Sequence, residues 1–236
     1  MKKFELTAES KINWFGRTLY RIKACIDFTT TSGDEVKAGD FGGYVEKEQN
    51  LSHDGKAWVW GNAKVWGNAE VWGNAEVWGN AKVWGNAEVW GNAEVWGNAK
   101  VWGNAKVWGN AKVCGDASIF STKHIFCVTP IGQYANSLTV FRTKKRELKI
   151  SFEFETYEVE EFRKAIHDSW DEEYVDIAEG AISLAKKHID LTPEKSFKDC
   201  PFCGGKAELD EDSEVIICTE CGSTVKEEIW NNRCDD

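Results

Sequence analysis

Four cysteines near the C-terminal end have the spacing of a tetrahedral metal site. Cys200 and Cys203 form one CxxC pair, and Cys218 and Cys221 form a second pair after 14 intervening residues. Two such knuckles suit Zn²⁺ held by four thiolates, and the glycine after each pair allows a tight turn. Four thiolates leave no open coordination position. We therefore expect one structural zinc ion per chain, which stabilises a segment too small to fold on a core of its own.

Basic side chains are outnumbered, 29 against 39 acidic ones, which gives a net charge of −10. This balance argues against a general DNA-binding or membrane-surface protein, since both need a basic footprint. One basic run lies between two predicted strands, and it is either a solvated hairpin tip or an anion patch for a small nucleotide. The run contains Arg142, Lys144, Lys145 and Arg146.

The tryptophans belong to a six-residue repeat. From Val59 to Lys112 the unit Val-Trp-Gly-Asn-Ala-(Lys/Glu) occurs nine times in succession, and residues 113–118 form a degenerate tenth copy. A period of six fits neither an α-helix nor a heptad coiled coil. It predicts a parallel β-solenoid in which Gly-Asn makes each corner, Val and Ala point inward, and Trp and Lys/Glu point outward.

The aliphatic first position and the small fifth position resemble the hexapeptide motif of left-handed parallel β-helices. This resemblance implies three hexapeptides per triangular coil of 18 residues. The charges at the sixth position sort by 18 into one lysine ladder and two mostly acidic ladders. A recently duplicated 18-residue unit would give the same pattern, and both interpretations favour 18 as the natural unit. The ladders are Lys64, Lys82 and Lys100; Glu70, Glu88 and Lys106; and Glu76, Glu94 and Lys112.

The repeat pattern extends toward the N-terminus. It can be followed through Ala57, Leu51 and Val45 at the Ala position, with Phe41 at a Val position. We therefore predict a solenoid over residues 41–118, slightly more than four coils.

The flanking segments complete a mainly β protein. Residues 1–40 are predicted to form a β cap over the unpaired strand edges of the solenoid. Residues 119–190 predict a small α+β domain, with strands over HIFCVTPI, SLTVFRT and LKISFEFE and amphipathic helices at about 158–170 and 172–189. Residues 191–236, with 5 basic and 12 acidic side chains, predict an acidic zinc ribbon.

Outward-facing tryptophans at strand spacing would form ladders. Nine exposed indoles would make apolar patches of a size that marks an interface, so we expect a homo-oligomer, with a trimer favoured. Stacking on sugars or nucleobases and a self-stacked solvent face are the alternatives. The candidate interface residues are Trp60, Trp66, Trp72, Trp78, Trp84, Trp90, Trp96, Trp102 and Trp108.

Two further resemblances concern the whole chain and its tail. The N-terminal segment followed by the VWGNA repeat resembles hexapeptide-repeat proteins of bacteriophages and prophages, labelled bactofilin-like or transferase-like. The runs DCPFCGGKAEL, VIICTECGS and IWNNR resemble the restriction-alleviation zinc-ribbon family, although Trp230-Asn-Asn-Arg233 departs from that family's Trp-Asn-Arg. These resemblances imply a protein of the bacterial host cytoplasm. No apolar run reaches the roughly 18 residues of a membrane span.

Three functions from different classes follow. The first, which we favour, is a non-enzymatic phage or prophage interaction protein that antagonises or sequesters a host-defence component through an oligomeric scaffold and the acidic ribbon. The second is a structural scaffold or assembly module. The third is a hexapeptide-type acyltransferase, for which His53 and His124 are the candidate bases, because the nine exact repeats contain no His, Ser, Cys or Asp.

Overall fold

A computed structural model describes residues 2–13, 15–132 and 134–192, together with the backbone of three later strands. The chain divides into two compact units. One unit comprises residues 1–11 and 18–191, and the other comprises residues 12–17 and 192–236. In the described ranges, no helix is both long and apolar enough to cross a membrane.

The first unit begins with five strands. They are β1 (Phe4–Ile12), β2 (Thr18–Ala24), β3 (Phe28–Thr29), β4 (Glu35–Val36) and β5 (Phe41–Val45). Strands β3 and β4 form a small antiparallel hairpin. Strand β2 pairs antiparallel with β5, which in turn pairs parallel with the solenoid, so β1 and β2 extend one solenoid sheet.

Strands of two residues repeat through the fully described stretch from 58 to 119. Each covers the sixth position of one hexapeptide and the first position of the next, and Gly-Asn forms the corner between strands. They are β6 (Trp58–Val59), β7 (Lys64–Val65), β8 (Glu70–Val71), β9 (Glu76–Val77), β10 (Lys82–Val83), β11 (Glu88–Val89), β12 (Glu94–Val95), β13 (Lys100–Val101), β14 (Lys106–Val107), β15 (Lys112–Val113) and β16 (Ser118–Ile119).

These strands form three parallel sheets, and the register confirms the 18-residue coil. Lys82 pairs with Lys64 on one side and with Lys100 on the other. We call the sheet with β7, β10, β13 and β16 sheet 1, the sheet with β8, β11 and β14 sheet 2, and the sheet with β6, β9, β12 and β15 sheet 3. Together they make a parallel β-solenoid of about four turns. The Val and Ala side chains of the nine exact repeats fill its interior, as predicted.

The entry coil has a different register from the one that the sequence predicts. Val45 pairs with Val65 and Leu51 with Val71, so both stand at the Val position rather than the Ala position. Phe41 is half exposed instead of pointing inward. Ala57 follows the predicted register again, because the next residue, Trp58, pairs with Glu76. The corner before Ala57 therefore contains two extra residues. Sequence alone does not separate the two registers, since both bury apolar residues.

Two carbonyls near the N-terminal end of the solenoid, those of Ala57 and Ala69, accept hydrogen bonds from side chains. Two buried polar side chains supply donors there. The Lys3 Nζ donates to the Ala57 carbonyl at 2.8 Å, and the Asn50 Nδ2 donates to the Ala69 carbonyl at 2.8 Å. Burial lowers the pKa of Lys3 to about 8.

After the solenoid, an antiparallel sheet and two helices form a second core. The strands are β17 (Ile125–Ile131), β18 (Asn136–Arg142), β19 (Leu148–Phe152) and β20 (Glu155–Glu158), and the helices are α1 (Val159–Ser169) and α2 (Glu172–His188). Phe162, Ile166 and Ile182 lie in this core. The two helices agree closely with the predicted ranges. The run LKISFEFE, predicted as one strand, instead turns at Glu153, which has a φ of 56°.

The second unit contains three described strands. They are β21 (Ala207–Asp210), β22 (Val215–Cys218) and β23 (Thr224–Lys226), and they form an antiparallel sheet in chain order.

Candidate functional site

The repeat tryptophans stand at the three corners of the solenoid as three ladders. Five of the six pairs of adjacent indoles in these ladders stack within 15° of parallel; the rings of Trp66 and Trp84 lie 5.0 Å apart at 2°. This spacing follows from the separation of neighbouring strands. We call Trp66, Trp84 and Trp102 the buried ladder, Trp72, Trp90 and Trp108 the exposed ladder, and Trp60, Trp78 and Trp96 the third ladder.

The expectation of nine exposed indoles is wrong. Trp84 is completely buried, and Trp66 and Trp102 are only 4% and 5% exposed. Only Trp72, at 38%, and Trp108, at 47%, count as exposed among the nine. Stacking covers the ring faces between neighbouring indoles, and the surroundings of each corner decide how much of the rest of each ring remains in water. Whether any ladder is an interface stays a prediction.

The third ladder is tied to the β3–β4 hairpin through a buried carboxylate. The Trp60 indole Nε1 donates to Glu76 at 3.0 Å. Glu76 also accepts hydrogen bonds from the Ser32 amide at 3.0 Å and the Ser32 hydroxyl at 2.8 Å. Its side chain is 2% exposed. This outward-facing position of sheet 3 is therefore covered by protein and satisfied by hydrogen bonds.

The exposed ladder ends abruptly at Trp72. Its ring stacks on Trp90 at 5.3 Å and 4°. One coil earlier Ser52 holds the equivalent place, because its amide donates to the Val71 carbonyl as the Trp72 amide donates to that of Val89. A small side chain thus stands where the next indole would stack. The position lies in an open groove of about 710 Å³, and Trp72 forms part of the wall.

Three carboxylates line this groove. The Glu48 carboxylate binds Lys2 at 2.6 Å and lies 3.6 Å from the His53 Nε2. The hydrogen bond from Lys2 lowers the pKa of Glu48. Asp54 and Glu70 form no ion pair with any residue that the structure describes. The lining also includes Gln49, Leu51, Ser52, Gly55, Val71 and Gly73.

The two histidines predicted as bases lie apart, at opposite ends of the solenoid. His53 is in the groove, where its ring stacks on Phe4 at 4.3 Å and its Nδ1 accepts from the Lys3 amide. His124 is buried beyond the last coil, and its Nδ1 accepts from the Phe120 amide. Burial, with the nearby Arg142, lowers the pKa of His124 to about 4. A neutral buried imidazole that accepts a backbone hydrogen bond is a structural feature.

The predicted anion patch is not one cluster. Arg142 is only 2% exposed, and its guanidinium lies over the Phe120 ring at 5.0 Å. Lys144, Lys145 and Arg146 are exposed at the turn between β18 and β19. Arg142 points inward because β18 alternates its side chains and this position packs toward the end of the solenoid. The remaining three fit the alternative interpretation, a solvated hairpin tip.

The predicted zinc ligands lie outside the described side chains. Cys200, Cys203 and Cys221 are beyond the described residues, and of Cys218 only the backbone in β22 is described. Among the side chains that are described, no three His, Cys, Asp or Glu residues come together as a metal site.

A comparison with protein-family models finds none that matches the chain, and a comparison with curated proteins finds no significant match. Of the hexapeptide resemblance, the structure shows the β-solenoid of about four turns.

Sequence reasoning named His53, Glu70 and Trp72 separately but did not predict that they line one groove, although a signal was available. The segment Leu-Ser-His-Asp-Gly-Lys at 51–56 precedes the first exact repeat and breaks its pattern. A longer corner in a repeat array leaves a ladder position unfilled. Such an interruption is where an irregular site can form on a regular solenoid.

Proposed function

We propose that this protein is a non-enzymatic interaction protein whose β-solenoid is a rigid scaffold for the exposed ladder. The observation that carries the proposal is the unequal exposure of identical indoles. Two of the three ladders are largely covered by the protein, whereas Trp72 and Trp108 remain 38% and 47% exposed. Tryptophan is strongly enriched among the residues that dominate binding at protein interfaces.

The surroundings of the exposed ladder also suit an interface. Lys106 lies over the Trp90 ring at 5.9 Å and pairs with Glu88 at 3.0 Å, so charged side chains flank the apolar edges. An apolar centre with a charged rim is typical of protein interfaces. We propose that copies of the chain meet along the ring edges of this ladder as a homo-oligomer, with a trimer favoured.

The biological setting that we propose rests on the sequence resemblances. The hexapeptide motif supports a left-handed coil and an origin among phage or prophage proteins. The CxxC pairs support a structural zinc ion in an acidic ribbon similar to the restriction-alleviation family. Together they favour a protein of the bacterial cytoplasm that antagonises or sequesters a component of host defence.

Light scattering and pull-down from bacterial lysate test the scaffold proposal with a matched pair of variants. Trp108→Gln removes an indole that is 47% exposed, and Ile177→Gln removes an aliphatic side chain on α2 that is 48% exposed. We expect Trp108→Gln to reduce the oligomer mass or the retained partner, and Ile177→Gln to leave both unchanged. A wild-type mass of one chain with no specific partner would contradict the proposal. An oligomer without a partner would favour the structural scaffold.

Elemental analysis tests the zinc proposal. A reduced, untagged preparation should contain about one zinc per chain, because the two CxxC pairs supply four thiolates. Cys203→Ser should lower that content while the far-ultraviolet signal of the solenoid remains. A wild-type content below about half an equivalent would contradict a Cys₄ site.

A further inference from the structure

The groove beside Trp72 lies where the next indole of the exposed ladder would stack. The rings of the exposed ladder repeat at 5.3 and 5.5 Å, and each is nearly parallel to the next. Trp72 uses one face to stack on Trp90, whereas on its other side the ladder position is held by Ser52. A flat group placed on Trp72 would continue the stack at the position that Ser52 leaves without an indole. The first requirement on a ligand is therefore planarity.

Charge gives the second requirement. Asp54 and Glu70 line the same groove as Trp72, and neither forms an ion pair with a residue that the structure describes, although Asp54 favours the charged form of the nearby Lys3. Lys2 is engaged by Glu48 at 2.6 Å. An indole face attracts cations, and carboxylates beside it strengthen that preference. The groove is thus suited to a planar cation.

From these two requirements we infer that the groove binds the guanidinium of an arginine in a basic peptide segment of a partner protein. The inference rests on the proposed function, and it names the chemistry that the scaffold recognises. A guanidinium is flat, stacks on an indole and has several N–H donors in one plane, so it can reach Asp54 and Glu70 while lying on Trp72. An ammonium group is not planar and cannot stack in this way.

The groove is longer than one guanidinium, which favours a peptide over the free amino acid. Its volume of about 710 Å³ exceeds that of a guanidinium, and Gln49 and Ser52 also line it. These side chains offer hydrogen-bonding groups to a peptide backbone. Two cations lie beside the groove: Lys2 pairs with Glu48, and the Lys3 Nζ donates to the Gly55 carbonyl at 3.4 Å. The three carboxylates, Glu48, Asp54 and Glu70, outnumber them, which favours a basic segment.

Titration of the full-length protein with blocked Gly-Ser peptides, each with a single arginine, lysine or citrulline, tests this inference by NMR. The Trp72 indole signal is identified by its loss in Trp72→Leu. We expect the arginine peptide to shift that signal saturably at millimolar concentration or below. The citrulline peptide keeps the shape without the charge, and the lysine peptide keeps the charge without the plane. Both should bind about tenfold more weakly, and salt should weaken the arginine complex.

Two pairs of variants locate the site. Trp72→Leu should abolish binding of the arginine peptide, so that the remaining indole signals do not shift. Trp108→Leu, at the other end of the same ladder, should retain the peptide-induced shift. Glu70→Gln should weaken arginine binding about fivefold or more, whereas Glu88→Gln, one coil further on, should not. Asp54→Asn should act as Glu70→Gln does. Unchanged amide spectra away from the groove show that each variant is folded.

Three outcomes would overturn the inference: no saturable shift with arginine, equal binding of lysine or citrulline, or preferential binding of a neutral disaccharide in a parallel titration. The last outcome would indicate sugar stacking instead. These failures are distinguishable from failure of the scaffold proposal, because Trp108→Gln tests oligomer mass and partner retention without altering the groove.

Discussion

The buried ladder and the exposed ladder are built from the same hexapeptide, yet they are different parts of the molecule. Trp84 is completely buried and its indole Nε1 has no hydrogen-bond partner, whereas its counterpart Trp90 is half-buried beside Lys106. At the last coil, Phe120 continues the buried ladder at 5.2 Å from Trp102. The exposed ladder instead ends at Trp108, which is 47% exposed.

The difference shows that the repeat determines how the indoles stack but not how much of each indole is exposed. Ring distances are similar in the two ladders, 5.0 Å for Trp66–Trp84 and 5.5 Å for Trp90–Trp108, since both follow the coil rise. Exposure nevertheless ranges from complete burial at Trp84 to 47% at Trp108. A repeat protein can therefore acquire a binding face without changing its repeat.

The largest effect is expected from shifting the two ladders relative to each other. Deleting residues 79–84 removes one hexapeptide and moves every later corner by one third of a coil, so tryptophans of the covered corner would move to the open one. It would also displace the amide of Lys112 from the Thr139 hydroxyl, 3.0 Å away. We expect loss of cooperative unfolding and rapid proteolysis of the following sheet.

Deleting residues 65–82 is the control for this prediction. It removes one complete coil, keeps the identity of each ladder, and should preserve a cooperative thermal transition. Equal behaviour of the two deletions would contradict the three-sheet coil.

The next largest difference between the buried ladder and the exposed ladder is expected when one indole of each is truncated. Trp84→Ala would leave a cavity in a fully buried position and should cost about 3–5 kcal/mol of unfolding free energy. Trp108→Ala removes a ring that is already 47% exposed and should cost about 1 kcal/mol or less. Denaturant unfolding followed by far-ultraviolet circular dichroism measures both. Similar costs would mean that the ladders do not differ in burial.

The corners of the exposed ladder give a smaller effect that depends on position along the stack. Gly91 has a φ of 73°, and a Cβ there would lie 2.9 Å from the Gly109 amide nitrogen. Gly109 has a φ of 68° with open space around it. Gly109→Ala should cost about 1–2 kcal/mol from backbone strain alone, and Gly91→Ala more. The midpoints of thermal unfolding compare them, and a larger effect at Gly109 would contradict the packing of adjacent corners.

The smallest effect comes from comparing two carboxylates, Glu94 on sheet 3 and Glu88 beside the exposed ladder. Burial raises the pKa of Glu94, so the folded state holds that proton more tightly than the unfolded state. Stability is therefore lost as the pH rises from the unfolded pKa, about 4.3, through the raised value. Glu94→Gln should slightly raise the melting temperature at pH 7, and the difference from wild type should vanish below about pH 4.

Glu88→Gln is the control for the pH prediction. This carboxylate pairs with Lys106 at 3.0 Å at the surface, so its replacement should change stability by less than about 0.5 kcal/mol at any pH. A pH-independent effect of Glu94→Gln, or an equal effect of the two substitutions, would contradict the assignment.

The predictions from sequence were right for residues that have the same environment in every repeat. Val and Ala at their repeat positions point inward, and the Lys82 register follows from the period of 18. The prediction was wrong for Val45 and Leu51, because inward positions alternate along a strand and either register buries them. It was also wrong for Arg142, whose charge suggested the surface although the strand places it against Phe120.

By itself the sequence determined the solenoid, because a strict six-residue alternation of buried and exposed positions leaves few other ways to satisfy the backbone and bury the apolar side chains. The tertiary structure decided which corner stays open. The nine hexapeptides differ only in Lys or Glu at the sixth position, which does not by itself predict what covers each corner, so the tertiary structure decides that Trp84 is buried and Trp108 exposed. It also decided that the longer corner at 52–56 leaves the face of Trp72 beside a groove, since a two-residue lengthening acts only through the strands against which it packs.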